Sequence, residues 1–227
     1  MKAMLLAAGR GERLRPLTDS VPKALVEAGG KPLIAWHLER LAAAGCREAV
    51  INVAYLGEHI VERIGDGARF GLRIAYSREA ERLETAGGIA QALHLLGREP
   101  FALVNADVYC EYDLSRLFRV ALGARLAHLV LVPNPAHRAR GDFSLLADEV
   151  KSDAGPRYTY AGIAVVAPRL VESVTPGEKA PLAPLLYAAA DRGLLSGELY
   201  RGLWQDVGTR ERLAELEALL ESRHENR

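Results

Sequence analysis

The run KAMLLA at residues 2–7 passes without a linker into Ala8-Gly9-Arg10-Gly11-Glu12-Arg13. No other feature limits the fold as strongly. A short apolar run of this kind reads as a buried strand. Glycines at its carboxyl end let backbone N–H groups approach an anionic ligand closely. The rhythm then repeats. Residues 32–44 predict a helix, with Pro32 at its first position and Gly45 at its stop. Strands are predicted at 48–53, 72–76 and 100–105, alternating with helices at 58–64 and 88–96. Past residue 125 the pattern loosens. It predicts strands at 126–132 and 158–166, a weaker one over 143–150, and an exposed loop at 151–157. A helix follows at 183–192, then an amphipathic terminal helix at 209–220. Strand–helix alternation with short connections predicts an α/β fold, a three-layer sandwich around a mixed, largely parallel sheet. Ligands of such sheets bind at the carboxyl ends of the strands.

Charge balance narrows the partners. Lys plus Arg equals Asp plus Glu, 29 each, so nothing calls for nucleic acid or an anionic membrane. A local excess of Lys2, Arg10, Arg13, Arg15 and Lys23 over Glu12 and Asp19 suits a small acidic ligand instead. Cys46 and Cys110 have no metal-ligand spacing and read as free thiols. The apolar N-terminus is too short for a signal peptide, and no stretch reaches membrane-span length. The expectation is a cytoplasmic protein. The six histidines are scattered, and none is expected to be catalytic.

Four segments carry chemistry. The glycine loop continues as Leu14-Arg15-Pro16-Leu17-Thr18, with Pro22-Lys23 beyond. It lacks the Gly-Lys-Ser/Thr ending of a Walker loop, and Leu14 stands where a dinucleotide fingerprint needs its third glycine. Arginine offers phosphate a planar fork and lysine a point charge. Asp107 follows the apolar run at 100–105, where it either caps a turn or holds a divalent cation. Trp204-Gln205-Asp206-Val207-Gly208-Thr209 places a second aspartate before a helix that Thr209 could cap. Leu83-Glu84-Thr85-Ala86-Gly87-Gly88-Ile89 pairs two glycines at a helix start.

Gly9-x-Gly11-x-Arg13, Pro16-Leu17-Thr18 and Pro22-Lys23 together resemble the sugar-1-phosphate nucleotidyltransferases, and the resemblance runs from Met4 to Thr209. It implies a Rossmann-like nucleotidyltransferase fold in one domain, residues 1–227. Residues 1–125 would mainly bind nucleotide, and residues 126–227 would form the sugar side and terminal helix. It implies that Ala8, Gly9, Gly11, Glu12, Arg13 and Lys23 surround the NTP phosphates, and that Thr85 and Gly88 face the base. Asp107 and Asp206 would bind Mg²⁺ and, with Arg13 and Lys23, form the catalytic set. Asn105, Gly141 and Gly162 would meet the sugar phosphate. Many relatives carry a Glu-Lys pair where this chain has Tyr158-Thr159-Tyr160, and Asp153 is the expected substitute.

Compact length, the Glu84-Thr85-Ala86-Gly87-Gly88-Ile89 segment, Gly141-Asp142-Phe143 and the closing Trp-x-Asp-x-Gly-Thr together resemble the uridylyltransferases of cell-wall sugar recycling. That implies UTP and N-acetylmuramate-1-phosphate as substrates. Transfer of GMP to mannose-1-phosphate, or of a nucleotide to another hexose phosphate, stays open. Two readings from other classes remain, a GT-A glycosyltransferase and a non-catalytic nucleotide-sugar sensor. The first has no need of a triphosphate-gripping loop, and the second tends to lose a charged ligand that is retained here. The expected assembly is a monomer or small homo-oligomer.

Overall fold

The computed structural model describes residues 1–225. In chain order the elements are β1 (Ala3–Leu6), β2 (Glu27–Ala28), β3 (Lys31–Pro32), α1 (Leu33–Ala43), β4 (Glu48–Val53), α2 (Gly57–Ile64), β5 (Arg73–Arg78), α3 (Glu84–Leu96), β6 (Phe101–Asn105) and β7 (Val108–Cys110). The second half adds β8 (Ala127–Val132), β9 (Phe143–Leu146), β10 (Glu149–Lys151), β11 (Arg157–Val166), α4 (Leu182–Asp191), β12 (Leu195–Leu199), β13 (Trp204–Asp206) and α5 (Arg210–Glu225).

A nine-stranded sheet in the order β5-β4-β1-β6-β11-β8-β12-β10-β9 runs through both halves of the chain. The four strands from β5 to β6 are mutually parallel. β11 enters antiparallel to β6, and the sheet is mixed from there on. Side chains alternate faces along a strand, and β1 shows the result. Ala3 and Leu5 face one buried cluster with Ile34, Leu38 and Leu41 of α1 and Ile60 of α2. Met4 faces the other, with Ile89 of α3 and Leu186 of α4. Both faces are therefore covered, and the three expected layers are present. Truncating a side chain such as Leu38, fully buried, costs about 2–5 kcal/mol in cores of this kind.

Local chemistry sets the element ends. Gly45, at φ +92°, closes α1. The Gly45 amide donates to Ala42 and the Cys46 amide to Leu41 at 2.9 Å, which satisfies carbonyls the helix leaves open. Pro32 stands just before α1 rather than inside it, with extended backbone at ψ 141°. The weak strand expected over 143–150 is two strands, β9 and β10, paired as a hairpin. Cys46 and Cys110 are buried free thiols, and burial pushes the Cys110 pKa up to about 11. The terminal helix packs on its own chain, with Leu216 and Leu220 buried against Leu14, Val26 and Leu33. No helix among the described residues is long and apolar enough to cross a membrane.

Candidate active site

Two adjoining cavities open beside the carboxyl ends of β1 and β6. They share Thr85, Asn105 and Asp107. The first is lined by Ala8 and Gly9 of the loop after β1, by Lys23, and by Asn52, Glu79 and Arg82. The second is lined by Arg13, Asp206 and Gly162, and by Arg138, Asp142 and Tyr160. Asp107 stands where the two meet.

The loop after β1 shapes the first cavity through packing as well as charge. Gly11 has φ +69°, and a Cβ there would lie 2.9 Å from Thr18 Cγ2 and 3.1 Å from Lys23 Cβ. Thr18 Oγ1 donates to the Gly11 carbonyl at 2.7 Å. The glycine therefore lets Lys23 pass under the loop, and Thr18 locks it there. Lys23 Nζ then donates to Asp107 Oδ2 at 2.5 Å. The lysine side chain is only 11% exposed, so its charge is directed at the junction rather than spread into solvent.

Two very short strands bring the second aspartate in. β7 and β13 pair antiparallel, with Asp206 opposite Val108, and the Val207 amide donates to the Asp107 carbonyl at 2.8 Å. Asp206 accepts from Arg212 Nη1 at 2.7 and 2.6 Å, one contact to each carboxylate oxygen. His137 Nε2 lies 3.0 Å from Asp206 Oδ1. Each aspartate is thus matched to positive charge from the protein itself. Beneath β7, His37 is buried with Nε2 2.6 Å from the Val108 carbonyl, and burial pulls its pKa down to about 4.

The pair Asp107 and Asp206 suits a hard divalent cation. Both are carboxylates lining one cavity, and both already face cationic groups. Among the described residues no cluster of three or more His, Cys, Asp or Glu could hold a metal by itself. Two carboxylates completed by phosphate oxygens and water is the usual donor set for Mg²⁺.

A network that sequence reasoning missed joins the loop after β1 to α3. The Ala7 amide donates to Asn52 Oδ1 at 2.8 Å. Asn52 Nδ2 donates to Glu79 Oε1 at 2.6 Å, and the Leu83 amide donates to Glu79 Oε2 at 3.0 Å. Helix α3 also starts at Glu84, four residues before its predicted start, with Glu84 itself at φ +62°. The paired glycines are not a break. A Cβ on Gly87 would lie 2.3 Å from the Glu178 carbonyl, and one on Gly88 2.7 Å from Glu79 Oε1. The signal for Asn52 is faint, one polar residue inside the otherwise apolar run 49–53.

Of the residues expected at the site, Ala8, Gly9, Arg13, Lys23, Thr85, Asn105, Asp107, Gly162 and Asp206 line the cavities. Arg13 lines the second cavity rather than the first. Gly11, Glu12, Gly88, Gly141 and Asp153 line neither. Gly11 and Gly88 sit behind the wall, where their lack of a side chain admits Lys23 and Glu79. Gly141, at φ +61°, packs on Asn134 in the same way, at 2.8 Å from a Cβ built on it, and its neighbour Asp142 is the lining residue. Asp153 is exposed because its loop is tied back to Ser144, which accepts from the Ala154 amide at 3.0 Å.

The nucleotidyl transferase family model matches residues 2–141. An N-acetylmuramate alpha-1-phosphate uridylyltransferase of Neisseria meningitidis is 50% identical over 96% of this chain and 98% of its own length. A mannose-1-phosphate guanyltransferase of Saccharomyces cerevisiae is 33% identical over 92% of this chain but 61% of its own. Among solved structures, a Bacillus anthracis protein described as a glucose-1-phosphate thymidylyltransferase superposes with a TM-score of 0.85 at 20% identity. It is matched over 97% of this chain and 95% of its own, and it carries the same fold.

Proposed function

The chain belongs to the nucleotidyl transferase family, and from that premise we propose that it moves a uridylyl group from UTP to N-acetylmuramate-1-phosphate, releasing pyrophosphate. The observation that carries the reading is the junction of two cavities at Asp107. A transfer between two phosphate-bearing substrates needs two pockets that meet at one charged point. The 50% identity over nearly the full length of a uridylyltransferase supports the choice of substrates. Use of GTP and mannose-1-phosphate is the second reading, with support from a more distant relative. Cytoplasmic residence and a place in peptidoglycan recycling belong to the same proposal.

The first cavity takes the nucleotide. Backbone amides of the loop at Ala8 and Gly9 meet its phosphates, and Thr85 borders the base. The second takes the sugar phosphate between Asn105, Gly162 and Asp142. An acceptor phosphate oxygen attacks the α-phosphorus in line, and the bond to the departing pyrophosphate breaks. The nucleophile is already ionised at neutral pH, so no general base is needed, and the protein's work is positioning and charge neutralisation. Lys23, freed from Asp107, stabilises charge building on the α-phosphate. Arg13 supplies positive charge to the phosphates gathered at the junction. Asp107 and Asp206 hold Mg²⁺, which when bound neutralises phosphate charge there.

Phosphorus NMR of protein mixed with UTP, Mg²⁺ and N-acetylmuramate-1-phosphate tests the reading. Growth of pyrophosphate and of a UDP-sugar diphosphate pair is expected. Pyrophosphate replaced by inorganic phosphate, or no change at all, would refute it.

A further inference from the structure

We propose that Arg138 selects an acceptor sugar that carries a carboxylate. The assignment rests on the acceptor reading above and deepens it. Arg138 ends a single 3₁₀ turn, Ala136–Arg138, and lines the second cavity. A guanidinium offers five N–H donors. Among the described residues its side-chain partner is Asp142, with Nη1 3.3 Å from Oδ2. Asp142 is itself held by the Tyr160 amide, 2.8 Å from the same oxygen. That anchor fixes Asp142 as wall. Arg138, 52% exposed, keeps its remaining donors for a ligand.

The surroundings decide which anion fits. Arg13, the other arginine lining this cavity, lies toward the junction. Its Nη2 is 2.9 Å from where a Cβ on Gly208 would stand, close to Asp206. Phe143, next in the chain to Asp142, and Leu182, Leu186 and Tyr187 give the same cavity an apolar wall. The rings of Phe143 and Tyr187 are 4.9 Å apart. A phosphate gains nothing from such a wall. A carboxylate on a short apolar arm gains twice, because the arm packs and the two oxygens match the planar fork of arginine. N-acetylmuramate-1-phosphate differs from N-acetylglucosamine-1-phosphate by one such arm, a lactyl ether ending in a carboxylate. Ring, N-acetyl group and phosphate are common to both, so Arg138 distinguishes two acceptors that the rest of the cavity treats alike.

Calorimetric titration of both sugar phosphates into protein holding a non-hydrolysable UTP analogue tests this without relying on turnover. Arg138→Ala should raise the Kd for N-acetylmuramate-1-phosphate roughly 10- to 100-fold, the scale of one charge-assisted hydrogen-bonded contact. The Kd for N-acetylglucosamine-1-phosphate should stay within about twofold, and Arg138→Lys should recover part of the loss. Equal weakening of both would mean that Arg138 grips the phosphate, and unchanged values for both would mean that it grips neither; either result overturns the assignment and leaves uridylyl transfer intact. Wild-type protein that binds neither sugar phosphate would instead sink the acceptor reading, and this assignment with it.

Discussion

Lys23 Nζ lies 2.5 Å from Asp107 Oδ2, so the two charges held at the cavity junction neutralise each other. On the proposed reading, incoming phosphate would offer the lysine a better partner and leave the carboxylate for a cation. Lys23→Ala should lower kcat by about 10²–10³, the scale of losing one strong electrostatic group at a reacting centre. Steady-state pyrophosphate release measures it. Turnover near that of wild type would remove Lys23 from the mechanism.

Arg212 contacts both oxygens of Asp206 through one nitrogen, so a cation taking those oxygens must share them or displace it. Both side chains are mostly shielded, at 11% and 19% exposure. Arg212→Ala should destabilise the metal-free protein by about 1–3 kcal/mol, below the range for a fully buried pair because both side chains keep some contact with water. Mg²⁺ should then raise the Tm of the variant more than that of wild type. Equal Mg²⁺-induced shifts would contradict Asp206 as a ligand.

The parallel strands and covering helices of the first half were legible because each is long enough to show its period. β4 falls on its predicted residues, and β1, β6 and α2 differ from prediction by no more than one residue at an end. The β7–β13 ribbon was not legible. Its strands have three residues each, too few for a period, yet they unite Asp107 with Asp206. Gly87 and Gly88 hid the start of α3, because glycine in sequence does not reveal whether it breaks a helix or admits a neighbour. Arg13, Lys23, Asp107 and Asp206 reached the cavity walls, whereas Gly11 and Gly88 sit behind them. Asp153 did not reach them, since no local pattern marks a loop that folds back onto Ser144.

Gly162 holds φ +74°, and a Cβ there would lie 2.6 Å from Asn105 Nδ2. Gly162→Ala should cost about 1–3 kcal/mol in backbone strain and push Asn105 out of place. KM for the sugar phosphate should rise several-fold more than KM for UTP, on the order of 1 kcal/mol of lost contact. Initial-rate kinetics in both substrates would show it, and two unchanged KM values would remove Asn105 from the acceptor site.

His37 makes stability depend on pH. Burial lowers its pKa to about 4, whereas in the unfolded chain it returns to about 6.5. Between those values the unfolded chain takes up a proton that the folded protein refuses. The stability that His37 contributes as a neutral group is complete above about pH 6.5. It falls by about 1.4 kcal/mol per pH unit toward pH 4. His37→Gln keeps a donor for the Val108 carbonyl and removes the titration. Urea melts at pH 7 and pH 5 should show a smaller loss for the variant than for wild type; identical losses would contradict a neutral buried imidazole.

The most direct test of the account is pyrophosphate release with Mg²⁺ across the four common NTPs and four acceptors: the 1-phosphates of N-acetylmuramate, N-acetylglucosamine, glucose and mannose. Strong release is expected with UTP and N-acetylmuramate-1-phosphate, and little elsewhere in the grid. Release led by GTP with mannose-1-phosphate would keep the chemistry and overturn the substrates. Folded protein that binds nucleotide yet releases no pyrophosphate from any pair would contradict the catalytic reading itself.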